Sequence, residues 1–184
     1  MPTFAGILFG YLLARIKLLG EKLEEIAYTD SLTEIYNRLH FNRLLEAEID
    51  KVKRYDIQLS IIFFDIDHFK QINDTHGHPM GDTILKELTE VIASANRSSD
   101  IFARYGGEEF IVLAASTSID GAVEHAQRLK QDIEQHRFPI GRVTASFGVT
   151  SFDSKTDDME SLLERADKAL YQAKSDGRNC VRQL

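Results

Sequence analysis

An α+β fold is what this sequence predicts: a split βαβ arrangement whose central, mostly antiparallel sheet is covered by helices. Three observations carry the expectation. Short apolar runs of β type (59–64, 101–103, 110–113 and 143–149) alternate with longer stretches of helical periodicity (39–52, 84–92, 122–133 and 159–173). The two middle runs flank Arg104-Tyr105-Gly106-Gly107-Glu108-Glu109, whose Gly-Gly pair is of the kind that closes a tight hairpin. The resulting order of helix, strand, helices, hairpin, helix, strand and helix is that of a split βαβ unit.

Composition bounds what the chain can be. Its 184 residues suffice for one domain with a real core plus an appendage. With 43% hydrophobic and 28% charged residues and only three prolines, it is globular in composition. A formal net charge of -7 argues against broad nucleic-acid binding, so any bound nucleotide should be small and escorted by metal. The single Cys180 excludes an intrachain disulfide and a cysteine-based zinc site, and fits a reducing compartment.

From Phe4 to Ala14 every residue is apolar, glycine or tyrosine. That stretch is too short to span a bilayer, which takes roughly 20 such residues. Two readings stand. It is the end of a membrane helix whose upstream part is missing, with Arg15, Lys17 and Lys22 on the cytoplasmic side, or a helix that buries itself against a partner. Ile16, Leu19, Leu23 and Ile26 follow the 3-4 spacing of a two-helix seam. Next, Asp30 or Ser31 is suited to capping and turning the chain before a helix carried by Leu39, Phe41, Leu44, Leu45, Ile49 and Val52.

Leu59 to Phe64 is a continuous apolar strand that ends in Asp65-Ile66-Asp67. Alternation puts Asp65 and Asp67 on one face with the Ile66 carbonyl between them, an oxygen set of the sort magnesium accepts. Asp67 is also placed to cap a helix starting near His68. A polar segment, His68 to His78, precedes a helix through Ile84, Leu85, Leu88, Val91 and Ile92. After the hairpin come a helix over 122–133, a strand over 143–149 and an amphipathic helix over 159–173. Lys174 to Asn179 then forms a glycine-closed cap leading to a last short strand. Carboxylates at Glu108 and Glu109, directly after two glycines, would repel unless a cation neutralised them. Taken alone, the same four residues also read as a surface turn with solvated glutamates.

Together these stretches resemble the catalytic domain of the GGDEF-family diguanylate cyclases. The resemblance rests on Asp30-Ser31-Leu32-Thr33 with Asn37-Arg38, on Phe64 through Asp74, and on Gly77-His78 with Gly81-Asp82. It continues through Arg104 to Phe110, Ala166-Asp167 with Ala169 to Lys174, and Gly177-Arg178-Asn179. These pieces fall in the family's order and run from about Asp30 to the C-terminus. The signature here is GGEEF, a variant that active members use. The resemblance implies a palm-like, ferredoxin-like catalytic domain over residues 30–184, driven through a signalling helix over 1–29.

It also implies an activity, the condensation of two GTP molecules into cyclic di-GMP with release of pyrophosphate. Two Mg2+ or Mn2+ ions per site would be held by Asp65, the Ile66 carbonyl and Glu108. Glu108 or Glu109 would take the proton, and sequence leaves open which. Asn73 and Asp82 would read guanine, with His78 as a further substrate position. Backbone amides at Phe69 and Lys70 would suit the phosphates, with Lys174 and Arg178 on their other side. Because one domain holds one GTP, a homodimer with the site at its interface is expected. Arg97 and Asp100 form an RxxD which, with Arg128, matches the family's inhibitory product site. The expected location is cytoplasmic, free or tethered to the inner face of the membrane. The alternative is an inactive receptor that binds cyclic di-GMP or GTP without turnover.

Overall fold

The computed structural model describes Leu13, Arg15 and residues 28–184. The expected membrane-helix end or partner helix, and the seam over 16–26, otherwise lie outside the described residues. Those residues form β1 (Tyr36–Asn37), α1 (Arg38–Tyr55), β2 (Leu59–Ile66), α2 (Phe69–His76), α3 (His78–Ala95) and β3 (Ile101–Gly106). They continue with β4 (Glu109–Ala115), α4 (Ile119–Gln135), β5 (Ala145–Ser151), α5 (Met159–Ser175) and β6 (Val181–Gln183). One sheet contains all six strands in the order β1-β3-β4-β2-β5-β6. The four central strands pair antiparallel, and only the short edges β1 and β6 run parallel to their neighbours. The α+β, split βαβ expectation therefore holds.

β2 reads as an unbroken apolar run because both of its faces are covered, and all eight of its residues are buried. Ile62, Phe64 and Ile66 face a core shared with Ile84 and Leu88 of α3 and Ala126 and Leu129 of α4. Ile61 and Phe63 face the other core, shared with Phe41 and Leu45 of α1 and Leu162 and Ala166 of α5. Phe64 sits at the centre of the first core, stacked on Phe147 at 4.8 Å and Phe110 at 5.5 Å. Burying each such side chain contributes about 1.5–3 kcal/mol, so β2 anchors the sheet. By alternation, Asp65 and Asp67 fall on the α1/α5 side.

Gly148 brings α5 down onto that side. A Cβ there would lie 2.3 Å from the Leu170 backbone nitrogen and 2.4 Å from the Ala166 carbonyl oxygen, so only glycine allows the approach. The last turn of α5 is thereby set over the end of β2.

Two local expectations are corrected, and one strand lies outside them. β1, a two-residue strand beside β3, was not foreseen, being too short to show a period. α3 starts at His78, ahead of its apolar positions, because Pro79 fits the first turn and Gly81 allows close contact with α2. Asp67 does not cap α2: His68 occupies that position with a left-handed φ of 58° and no side-chain cap. The Asp67 carboxylate is instead drawn across to β5 by the donors described below.

Candidate active site

Three elements meet where β2 ends: the turn between β3 and β4, the start of α2 and the last turn of α5. The turn is held shut by Arg104, whose Nε and Nη2 donate to the Gly107 carbonyl at 2.8 and 2.7 Å. Its Nη1 donates to Asp30 Oδ1 at 2.9 Å, joining the hairpin to the segment before β1. Asp30 also accepts from the Thr33 backbone N–H and hydroxyl, as expected of a turn-forming Asp. Burial pushes the Asp30 carboxyl up, but the Thr33 and Arg104 bonds together leave it below its ordinary value.

Asp65 stands opposite Glu109 on β4 and Ser146 on β5. Cross-strand neighbours share a face, so Asp65 and Glu109 project together toward α5. Lys174 meets them there, with Nζ 2.9 Å from Asp65 Oδ2. Burial pushes the Asp65 carboxyl up to about 6; Lys174 pulls it down, while Glu108 and Glu109 push it further up. Glu109 is also raised, by burial first, with Lys174 opposing and Asp167 and Glu108 adding. Beside Glu109 lies a cavity of about 530 Å³, walled in part by Arg38, Asn42, Tyr105 and Asp167. Arg38 packs over the Tyr105 ring at 4.6 Å.

Glu108 lies in the turn itself. Its carbonyl accepts from the Ile66 backbone N–H at 3.3 Å, which fixes Ile66 and Glu108 side by side. Among the described residues no three His, Cys, Asp or Glu side chains converge as a ready metal cluster. The expected donors, two carboxylates and one backbone carbonyl, are nonetheless all hard oxygens. Lys174 alone leaves Asp65 far above the usual carboxylate range, so the residues present fit an additional, more strongly charged cation.

Asp67 is satisfied quite differently. It accepts from the Ser146 hydroxyl at 2.6 Å, the Thr144 hydroxyl at 2.7 Å and the Asn179 backbone N–H at 3.0 Å. Through these bonds it ties β2 to β5 and to the loop after α5. That loop is tightly wound: Gly177, Arg178 and Asn179 all have positive φ.

On the far side of β2, α2 and α3 pack closely. A Cβ on Gly81 would lie 2.0 Å from Asn73 Oδ1 and 3.1 Å from Phe69, which explains the glycine beside Asp82. Asn73 Oδ1 is buried with no hydrogen-bond partner. Phe69 is buried, while Lys70, His78, Asp82 and Arg178 are exposed. α2 opens without a side-chain cap, so Phe69 and Lys70 occupy an uncapped helix N-terminus.

Arg97, Asp100 and Arg128 form a separate group at the opposite end of β3, roughly 20 Å along the strand from the turn. The Asp100 N–H donates to the Arg97 carbonyl at 3.0 Å and the Arg97 N–H to Asp100 Oδ2 at 3.2 Å. The Asp100 side chain is only 1% exposed and lies 3.8 Å from His125 of α4. The Asp100 carboxylate is thus buried, while Arg97 and Arg128 are exposed. His125 was not singled out from sequence, nor was the bracing role of Arg104 or Asp67; Asp100, Asp30 and the donors to Asp67 all lie far from them in the chain. Arg104 alone carried a signal, its place inside the hairpin motif.

Fold and site together define an α+β domain with a carboxylate centre at its hairpin. Residues 27–180 match the family model for the diguanylate cyclase GGDEF domain, and the chain belongs to that family. It is 39% identical over 176 residues to Diguanylate cyclase A of Treponema denticola, covering 92% of this chain and 47% of that protein. The chain spans about half or less of the length of the curated relatives it matches. The coiled coil and GGDEF domain of DgcB from Caulobacter crescentus, solved with c-di-GMP, superposes with a TM-score of 0.89 at 27% identity. That match covers 99% of this chain and 100% of the other. The active GGEEF domain of a diguanylate cyclase from Vibrio cholerae gives a TM-score of 0.76 at 34% identity, covering 80% and 96%.

Proposed function

We propose that this chain condenses two molecules of GTP into cyclic di-GMP and releases pyrophosphate. The observation that carries the reading is the Asp65–Glu109 pair, two adjacent carboxylates raised by burial and short of positive charge. Asp65, the Ile66 carbonyl and Glu108 would hold two Mg2+ or Mn2+ ions, which when bound would neutralise the triphosphate and acidify the attacking 3′-hydroxyl. Glu109 shares the face of Asp65, and burial raises its carboxyl above the ordinary value, which suits it to holding the proton. Asn73 Oδ1, buried and unpaired, is an acceptor for a guanine N–H, and Asp82 would accept beside it. His78 would sit at the substrate's edge, and the amides of Phe69 and Lys70 would face its phosphates. Lys174, paired with Asp65 in the free protein, would together with Arg178 bind the phosphates.

The catalytic unit is residues 30–184. Residues 1–29 would act as a signalling helix that pairs two copies, so that two GTP-loaded sites face each other. Arg97, Asp100 and Arg128 would bind the product and inhibit, their guanidinium groups engaging phosphate and guanine. The protein would work in the cytoplasm or on the inner face of the membrane. Among the described residues no helix is long and apolar enough to cross a membrane. The test is incubation of the purified full chain with GTP and Mg2+, followed by product identification. Cyclic di-GMP and pyrophosphate are the expected products, and unchanged GTP would overturn the proposal in favour of a receptor.

A further inference from the structure

His125 is a buried imidazole that the proposed chemistry does not use. It is 3% exposed, its Nδ1 lies 3.8 Å from Asp100 Oδ2, and its Nε2 is buried with no hydrogen-bond partner. A polar ring enclosed this way would ordinarily be costly, unless a neighbouring group makes use of it. We propose that His125 is the positioning residue of the Arg97/Asp100/Arg128 site, bracing the Asp100 carboxylate and coupling anion binding there to uptake of a proton. The inference rests on the reading of that site as one for cyclic di-GMP.

The physical argument begins with the charges around the ring. Asp100 and Arg97 reach it from the connection between α3 and β3, and Arg128 from its own helix. The nearby α3 sends Glu87 to His136, at the other end of α4. Burial holds the His125 imidazole below its ordinary value; Asp100 pulls it up, and Arg128 and Arg97 push it down. Near neutrality the ring is therefore uncharged in the free protein, with Nε2 available to take a proton.

Cyclic di-GMP carries two phosphodiester anions. Bound to Arg97 and Arg128, they would cancel the two influences that oppose protonation and leave that of Asp100 in place. Binding then draws a proton onto the ring. By linkage, an anion whose binding takes up protons must bind more tightly as pH falls.

Calorimetry on the full chain tests this, with cyclic di-GMP titrated at pH 6, 7 and 8 in buffers of different ionisation enthalpy. For the parent we expect net proton uptake and a Kd that tightens about fivefold or more from pH 8 to pH 6, as one linked group allows. In His125→Gln the uptake and the pH dependence should both disappear while binding persists. An identical pH slope in His125→Gln would overturn the inference. Should that variant fail to fold, the parent and Arg97→Ala decide: parent binding that Arg97→Ala weakens but that takes up no proton also overturns it. Undiminished binding in Arg97→Ala would instead remove the underlying site, a separate failure.

Discussion

Asp65 and Asp67 stand two residues apart at the end of β2, on the same face, at 7% and 5% exposure. Asp67 accepts three hydrogen bonds, from Thr144, Ser146 and Asn179. Asp65 has Lys174, against two neighbouring glutamates. A buried carboxylate with a full set of donors holds structure together, because losing it leaves those donors unpaired. One with too little compensation is a cost the fold bears on its own, and it makes sense where a ligand completes the set. The same residue type at nearly the same depth is thus a brace in one place and, on the function proposed, part of the reaction centre in the other.

Substitutions can break or sharpen this contrast. The largest effect is expected on the reactive side. Glu108→Gln and Glu109→Gln should each lower cyclic di-GMP formation by about 100-fold or more, equivalent to about 2.7 kcal/mol of transition-state stabilisation. Thermal unfolding of both should stay close to the parent's, and normal turnover in both would dissolve the reactive half of the comparison.

Asp67→Ala comes next and should act through the fold. Leaving the Thr144 and Ser146 hydroxyls and the Asn179 N–H without an acceptor should cost about 2–4 kcal/mol. A shift of the denaturation midpoint without change of slope would register it; a parent-like midpoint would mean that Asp67 is no brace.

The smallest effect, and of opposite sign, belongs to Asp65→Asn. The folded carboxyl at about 6 lies above the unfolded value of 3.8, so between those pH values the folded state binds more protons. Its contribution to stability is full below the unfolded value and is lost as pH rises through about 6. The metal-free parent should therefore weaken by on the order of 2 kcal/mol from this group between pH 4 and pH 7, a slope Asp65→Asn should lack. Denaturant titrations of both proteins at pH 4 and pH 7 would check it. Equal pH slopes would show that Asp65 is fully compensated, like Asp67.

Local pattern by itself determined the elements. Short apolar runs, continuous in β2 where both faces are buried, set β2 to β5, and a 3.6-residue period set the longer helices, since burial of a face imposes its pattern on the chain. The Gly-Gly pair marked the hairpin, where Gly107 takes the positive φ that few other residues tolerate, and Glu108 and Glu109 followed from it. The motif stretches also put Asp65, Asn73, Asp82 and Lys174 forward as site residues. What each carboxylate does was decided only by tertiary structure. Asp67 read as a helix cap because its three donors, on β5 and beyond α5, lie far away in sequence. Lys174 reaches Asp65 because Gly148 lets α5 sit low on β5, and Arg104 closes its turn with help from Asp30. His125 carried no signal at all, since an isolated histidine on a helix gains meaning only when Asp100 is folded beside it and two arginines come near enough to act on its charge. Sequence records which groups are present, whereas their depth from water and their partners, which fix charge and reactivity, exist only once the chain has closed.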